Sequence, residues 1–299
     1  MVTSSLGGLG KRAPDPAPSS PSTQASKEPS AGAVGASMAP PFTPSPTPTP
    51  PRVVAASTRI LFTGNTFWGR YMDDWSRDSD LGVAYPFSRL DELDREFYDA
   101  WISGLECPMV EGLELSSAQQ DSTLSFNCDP AYLEEAAKWF TAFTLANNHT
   151  DNQGAEAFTE TKQHLTEAGI QYFGHYDPNE LDEVCGLVIL PATLTYDDGT
   201  NTPGNLPLAM CGHHGVFQIP SEESLDLISH YGDYLPVIAM PHMGAEYKAT
   251  PDSIKTDTYR SMIDRGAMAV IGDHPHWIQT AESYKGKPIF YSLGNFMFD

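Results

Sequence analysis

The stretch AVIGDHPHWIQTAESYKGKPIFYSLGNFMFD, residues 269–299, decides how the rest of the chain is read. Its first residues complete an apolar run, Ala267 to Ile271, that breaks into Gly272-Asp273-His274-Pro275-His276. A short apolar run closed by glycine and proline reads as a buried strand entering a loop. Two imidazoles spaced two residues apart in that loop can both face one cleft. Further on, KPIFYSLGNF (287–296) reads as a last strand.

The same grammar repeats upstream. Leu235 to Met240 reads as a strand that opens into His242 of PHMG (241–244), and FTAFTLA (140–146) runs straight into Asn147-Asn148-His149. Tyr98 to Leu105 ends on Glu106, and RILFT (59–63) leads into Gly64-Asn65. Ile170–Phe173, Gly186–Thr195 and Leu206–Gly212 complete the expected strands, the last two joined by a turn at Asp197-Asp198-Gly199. Helices are expected over Pro130–Trp139, from Gly154 to Ala168, over Ser221–Tyr231 and over Asp252–Arg265, from apolar spacing, caps and closing glycines. Strands alternating with helices define an α/β fold.

Asn65, Glu106, Asn148, His149, His242, His274 and His276 all fall just beyond the C-terminal end of an apolar strand. In open α/β sheets that edge is where loops converge on a ligand. Neutral imidazole suits divalent transition metals, and carboxylate and amide oxygens fill the remaining positions. Singly each signal is common: NNH can be a turn capping a helix, and a His pair can face solvent. Their shared position points to metal or phosphate chemistry. Trp68, Trp75 and Trp277 read as packing or cleft walls, His213-His214 as surface or core polar residues, and His164 and His230 as solvated. Gly-rich phosphate loops and a GxSxG elbow are absent, which removes P-loop and serine-hydrolase mechanisms.

Composition divides the chain. Residues 12–52 are dominated by Pro, Ser, Thr and Ala, with too few apolar side chains to offset the entropy of ordering. Residues 1–56 are therefore expected to be a disordered linker, and residues 57–299 one domain. The net charge of −22, from 17 basic and 39 acidic residues, argues against nucleic acid or anionic lipid as a partner. No apolar run is long enough to span a bilayer, and no signal-peptide core is present. A Ser/Thr/Pro stalk often separates an extracellular domain from its anchor, so any anchor is expected outside this sequence. The ending FMFD, on a strand, leads us to expect a truncated chain. Of the four cysteines, Cys107 and Cys128 flank one excursion and Cys185 and Cys211 lie on neighbouring strands. Two disulfides in that pairing suit an exported protein, and four buried thiols are the alternative.

The segments LFTGNTFWGR (61–70), GLECP (104–108), LANNHTDNQG (145–154), AMPHMGAEY (239–247) and above all 269–299 resemble the CapA family of bacterial capsule-synthesis proteins. That family is linked to poly-γ-glutamate and related to calcineurin-like metallophosphatases. The resemblance runs from about Ile60 to Asp299. It implies a four-layer α/β/β/α sandwich with one or two divalent ions (Mn, Zn or Fe) between the sheet edges. Asn65, Glu106, Asn148, His242, His274 and His276 would be ligands, and His149 the acid that protonates a leaving oxygen. It implies a cell-envelope or extracellular protein acting on an anionic envelope polymer or a phosphoester, beside capsule-synthesis partner proteins. A general metallophosphoesterase and a non-catalytic polymer-binding or assembly module are the alternatives.

Three positions depart from the family pattern. Asn65 stands where Asp is usual, Gly104 where Asn is usual, and Asn152 where Asp is expected. With fewer carboxylates, weaker metal binding is expected, with one ion in place of two. Glu246, Asp151 and Asp273 are the residues that would compensate.

Overall fold

The structure, a computed structural model, describes residues 50–299. Most of the expected linker, 1–49, lies outside the described residues.

Two sheets form the frame. Strands β2 (Ile60–Thr66), β3 (Ala100–Leu105), β4 (Ala142–Thr144), β5 (Gln171–Phe173) and β12 (Asn295–Met297) make an all-parallel sheet in the order β12-β2-β3-β4-β5. The second sheet is mixed. It contains β1 (Val53–Ser57), β6 (Cys185–Tyr196), β7 (Asn201–Cys211), β8 (Val237–Ala239), β9 (Ala269–Ile271), β11 (Lys287–Phe290) and β10 (Ala281–Tyr284), in that spatial order. Strands β7, β8, β9 and β11 run parallel, and the outer pairs are antiparallel.

Successive side chains on a strand point to opposite faces, and β3 shows why every one of its residues is buried. Ala100 and Ile102 join a cluster with Val188, Leu190, Leu208 and Met210 between the sheets. Trp101 and Leu105 turn the other way, into a cluster with Phe158 and Leu165 of α4 (Ala155–Glu167). On the far side of the mixed sheet, Ala209, Val237 and Val270 pack against Leu225 and Ile228 of α5 (Glu222–Gly232) and Met262 of α6 (Ser253–Asp264). The fold is thus an α/β sandwich of two sheets with helices packed outside. The helices α1 (Arg70–Asp78), α2 (Ser117–Thr123) and α3 (Leu133–Ala136) lie in the loops after β2, β3 and α2.

Four sequence expectations change. Val53–Ser57 is a strand paired with β6, so ordered structure begins inside the segment assigned to the linker; its β-branched residues find an exposed strand edge. The helix over 130–139 is a 3₁₀ turn followed by only four α-helical residues. FTAFTLA contributes only Ala142–Thr144 to the ladder. The final run is two strands in different sheets. Gly294, at φ +72°, lets the chain cross between them, and a Cβ at Gly64 would come 1.7 Å from the Gly294 carbonyl oxygen. Only glycine fits that crossing.

Cys107–Cys128 and Cys185–Cys211 form the two expected disulfides, which sets aside the free-thiol alternative. The second joins residues directly opposite in the β6–β7 register.

Candidate metal centre

The strand ends of both sheets meet at one cleft. Asn65 is the penultimate residue of β2, Glu106 follows β3 and Asn147–His149 follow β4; from the other sheet come His242 after β8 and Asp273–His276 after β9. Ladder pairing continues past the strands themselves, with His242 bridged to His214 on one side and Asp273 on the other. All seven residues read from the sequence reach this rim.

His242 is the hub. Its Nε2 lies 2.9 Å from Asn148 Oδ1 and 3.2 Å from His274 Nδ1, and its Nδ1 lies 3.4 Å from the Asn147 amide nitrogen. If the Asn147 amide donates to Nδ1, the ring proton sits on Nε2 and is donated to Asn148. Burial and the neighbouring imidazoles hold both rings neutral, with His242 well below the ordinary histidine range and His274 at about 3. Neutral imidazole is the form that binds metal.

His276 organises the other half. Its Nδ1 lies 2.8 Å from Asn295 Oδ1 and 3.5 Å from the Asn65 amide nitrogen, while Nε2 faces Glu106 Oε1 at 3.6 Å. A proton donated to Asn295 leaves Nε2 bare, and two acceptors then oppose each other. A shared proton or a cation resolves that conflict. Burial, and secondarily Asp273, pushes the Glu106 carboxyl well above the usual range. The loop that holds these rings is strained: His274 and His276 adopt φ values of +93° and +58°. Such strain costs about 1–3 kcal/mol per residue and clusters at functional sites.

His149 stands at the mouth. Its backbone N–H donates to Asn147 Oδ1 at 2.8 Å, its Nδ1 lies 3.0 Å from Asn152 Oδ1, and its ring packs 4.4 Å from that of Phe126. Burial lowers its pKa to about 4. Asn152 orients the ring but brings no charge to hold an imidazolium. With Arg70, Glu106, Glu246, Tyr247 and His276, His149 lines a narrow cleft that opens to solvent.

Whether these residues suit a divalent ion is tested by their unsatisfied atoms. Asn65 Oδ1, Glu106 Oε2 and both Asp273 carboxylate oxygens are buried with no hydrogen-bond partner among the described residues. Each such acceptor costs about 1–3 kcal/mol when left bare. Donors sharing one ion at about 2.0–2.2 Å lie roughly 3 Å apart, the spacing of the Asn148–His242–His274 atoms. Among the described residues, no three His, Cys, Asp or Glu side chains form a metal-holding group by themselves. The donors that converge at that spacing are two imidazoles and one amide oxygen, ligand types that divalent ions accept.

The three candidate compensators separate. Glu246 lines the His149 cleft, whereas Asp151 is half-buried and is not among the residues lining it. Asp273 is buried, and its Oδ2 would lie 2.8 Å from a Cβ placed on Gly104. The carboxylate therefore uses space that a side chain at position 104 would fill. Sequence reading gave no role to Asn147, within NNH, or to Asn295, in a stretch that resembles a loop near the family's metal cleft; their amides orient His242 and His276. His214, read as surface or core polar, is buried beside His242 with its Nε2 unpartnered, its Nδ1 facing the Tyr176 carbonyl. Trp68 packs in the core, Trp75 and Trp277 are exposed, and His230 is solvated as expected, whereas His164 is half-buried beside Glu160.

A two-sheet sandwich with its polar residues gathered where strand ends meet is metallophosphatase-like. The family model described as bacterial capsule synthesis protein PGA_cap matches residues 59–192 and 224–299, and the chain belongs to that family. It is similar to the PGA biosynthesis protein CapA of Bacillus subtilis (strain 168), 28% identical over 268 residues, covering 83% of this chain and 66% of the relative. It is also similar to the capsule biosynthesis protein CapA of Bacillus anthracis, 30% identical over 177 residues, covering 54% of this chain and 40% of the relative. The chain thus spans about two thirds of the first relative and two fifths of the second.

Proposed function

We propose that this chain works in capsule synthesis at the cell envelope, using a divalent cation in the His242–His274–His276 cleft for hydrolysis or transfer on an anionic, amide-linked polymer of the poly-γ-glutamate kind. The observation that carries the proposal is the set of bare buried acceptors on Asn65, Glu106 and Asp273, beside neutral imidazoles, at facing strand ends. Membership of the capsule-synthesis family supports the polymer class. Two disulfides suit a location outside the cytoplasm.

The cation would be held by His242, His274 and Asn148, with Asn65, Glu106, His276 and Asp273 adjoining. When bound, such an ion polarises an oxygen of the substrate and lowers the pKa of coordinated water. Asn147 and Asn295 fix the ring orientation of His242 and His276. Arg70 lines the cleft mouth with its guanidinium paired to Asp299 and Asp121, and Phe126 and Phe298 restrict water around His149. His149, neutral and with Nδ1–H donated to Asn152, has Nε2 as its remaining ring nitrogen at the cleft and can accept a proton there.

A second reading is a polymer-binding or assembly module without catalysis. The amide at position 65 and the neutral Asn152 favour it, since both remove charge that a phosphatase-type centre uses. Metal content per chain decides first, measured by plasma mass spectrometry on protein purified without a metal-affinity tag. Near-stoichiometric Mn, Zn or Fe that is lost in His242→Ala supports the centre. Protein that stays metal-free after incubation with those ions favours the assembly module. Turnover abolished by His149→Ala would then separate catalysis from metal-dependent binding.

A further inference from the structure

Beyond the cleft, the loop after His242 acts as a partition with a different pocket on each face. Glu246 and Tyr247 line the cleft that holds Glu106, His149 and His276, whereas Gly244, Ala245 and Lys248 line a second pocket of about 310 Å3. Tyr247, at φ +56°, donates its N–H to the Pro275 carbonyl at 2.9 Å, which ties the partition to the GDHPH loop.

The second pocket contains an unusual pair of groups. Lys255, in the first turn of α6, is 1% exposed, and its ammonium has no hydrogen-bond partner among the described residues. The Tyr259 ring, 5.3 Å from Nζ, offers a π face but cannot accept three hydrogen bonds. Gly244 leaves room for it: a Cβ there would lie 3.1 Å from Lys255 Cδ and 3.4 Å from Nζ. Across the pocket, Gln279 donates its amide N–H to the Lys248 carbonyl at 2.9 Å, while its own Oε1 is buried and unpartnered. The Asp252 carboxylate at the pocket edge accepts the Lys255 backbone N–H at 2.8 Å as the helix cap.

A buried cationic donor and a buried neutral acceptor in one pocket call for a ligand carrying both an anionic oxygen and an N–H. We infer that the Lys255–Gln279 pocket is a subsite for an amide-linked carboxylate, with the carboxylate on Lys255 Nζ and the neighbouring amide N–H on Gln279 Oε1. This inference rests on the amide-linked, anionic polymer proposed above, and places one unit of it across the partition from the His149 cleft. A chain laid over residues 244–248 has one carboxylate anchored while an adjacent linkage faces the cleft. Lys255 is accordingly a positioning residue.

The test uses the full chain and two probes, N-acetylglycine and a γ-linked glutamate oligomer. Binding is followed by calorimetry for the oligomer and by shifts of the Gln279 side-chain amide for the small probe. Lys255→Met removes the charge while keeping the aliphatic length, and is expected to weaken both probes by about tenfold or more. Gln279→Glu, which places a negative charge against the carboxylate, is expected to weaken them as well and serves as a second variant. Binding of N-acetylglycine that depends on Lys255, with no oligomer binding, upholds the pocket and removes the polymer reading. Oligomer binding equal in wild type and Lys255→Met upholds the polymer and overturns the pocket. Absence of Lys255-dependent binding for either probe overturns the inference.

Discussion

Nδ1 of His274 lies 3.2 Å from Nε2 of His242, the nitrogen whose proton goes to Asn148, so imidazoles from neighbouring strand ends bring two ring nitrogens to one point. A cation at that point replaces the proton and gains both rings. His242→Ala and His274→Ala are each expected to lower Mn or Zn affinity by about tenfold or more, read by calorimetry on metal-stripped protein. Wild-type affinity in both variants would remove these two residues from any metal site.

Asn147 touches no candidate ion in this arrangement, yet its amide faces Nδ1 of His242 and its Oδ1 accepts the His149 N–H. Outer partners of this kind tune ligand orientation. Asn147→Ala is expected to weaken metal binding by about 10–100-fold. An unchanged affinity would mean that His242 is oriented by packing alone.

Gly104 and Asp273 compete for one volume. In Gly104→Ala the new methyl meets Asp273 Oδ2, and overpacking of this kind costs about 1–3 kcal/mol. Adding Asp273→Ala should restore much of that loss, giving a positive coupling in a double-mutant cycle of denaturant unfolding. Additive effects would show that the carboxylate simply moves aside.

Asn65→Asp adds a carboxylate to a buried set that already contains Glu106 and Asp273. Without metal the variant should melt below wild type, because an unpaired buried charge is costly. On addition of Mn²⁺ it should gain more in Tm than wild type does. An equal gain in both proteins would mean that position 65 does not reach the ion.

Burial lowers the Lys255 pKa to about 7, while the unfolded lysine keeps a value near 10.5. Between those values the unfolded chain binds the extra proton, so wild-type stability rises with pH across the window. The full penalty applies at and below about pH 7 and is gone above the unfolded value. Lys255→Met should therefore be more stable than wild type at pH 7, with the difference shrinking as pH approaches 10. A difference independent of pH would mean that Lys255 has the same pKa in the folded and unfolded chain, as a charge-paired ammonium would.

The site was more legible than the frame that holds it. Glu106, Asn148, His149 and His242 stood out because short parallel strands stop abruptly in polar residues, and that boundary is written locally. Crossing of the chain at Ser292–Gly294 was not: KPIFYSLGNF reads as one strand, and the Ser292 and Gly294 within it do not by themselves announce a change of sheet. The strand at Val53–Ser57 was hidden for a similar reason: it borrows its order from the edge of β6, 130 or more residues away. Lys255 sits at ordinary helical spacing, and only the packing of Gly244 and Tyr259 around it makes it a buried charge. Local signals thus gave the donors, and long-range packing supplied their orientation through Asn147, Asn295 and Asp273.

The crossing has a consequence for the order of assembly. Residues 291–297 join the two sheets and carry the Gly294 carbonyl that receives the Asn65 N–H and the Asn295 amide that fixes His276. Through these contacts the stretch aligns Asn65, near the end of β2 in one sheet, with His276, in the loop after β9 of the other. Because residues 291–297 follow every other strand in chain order, the stretch that aligns the two halves of the cleft is synthesised after both of them.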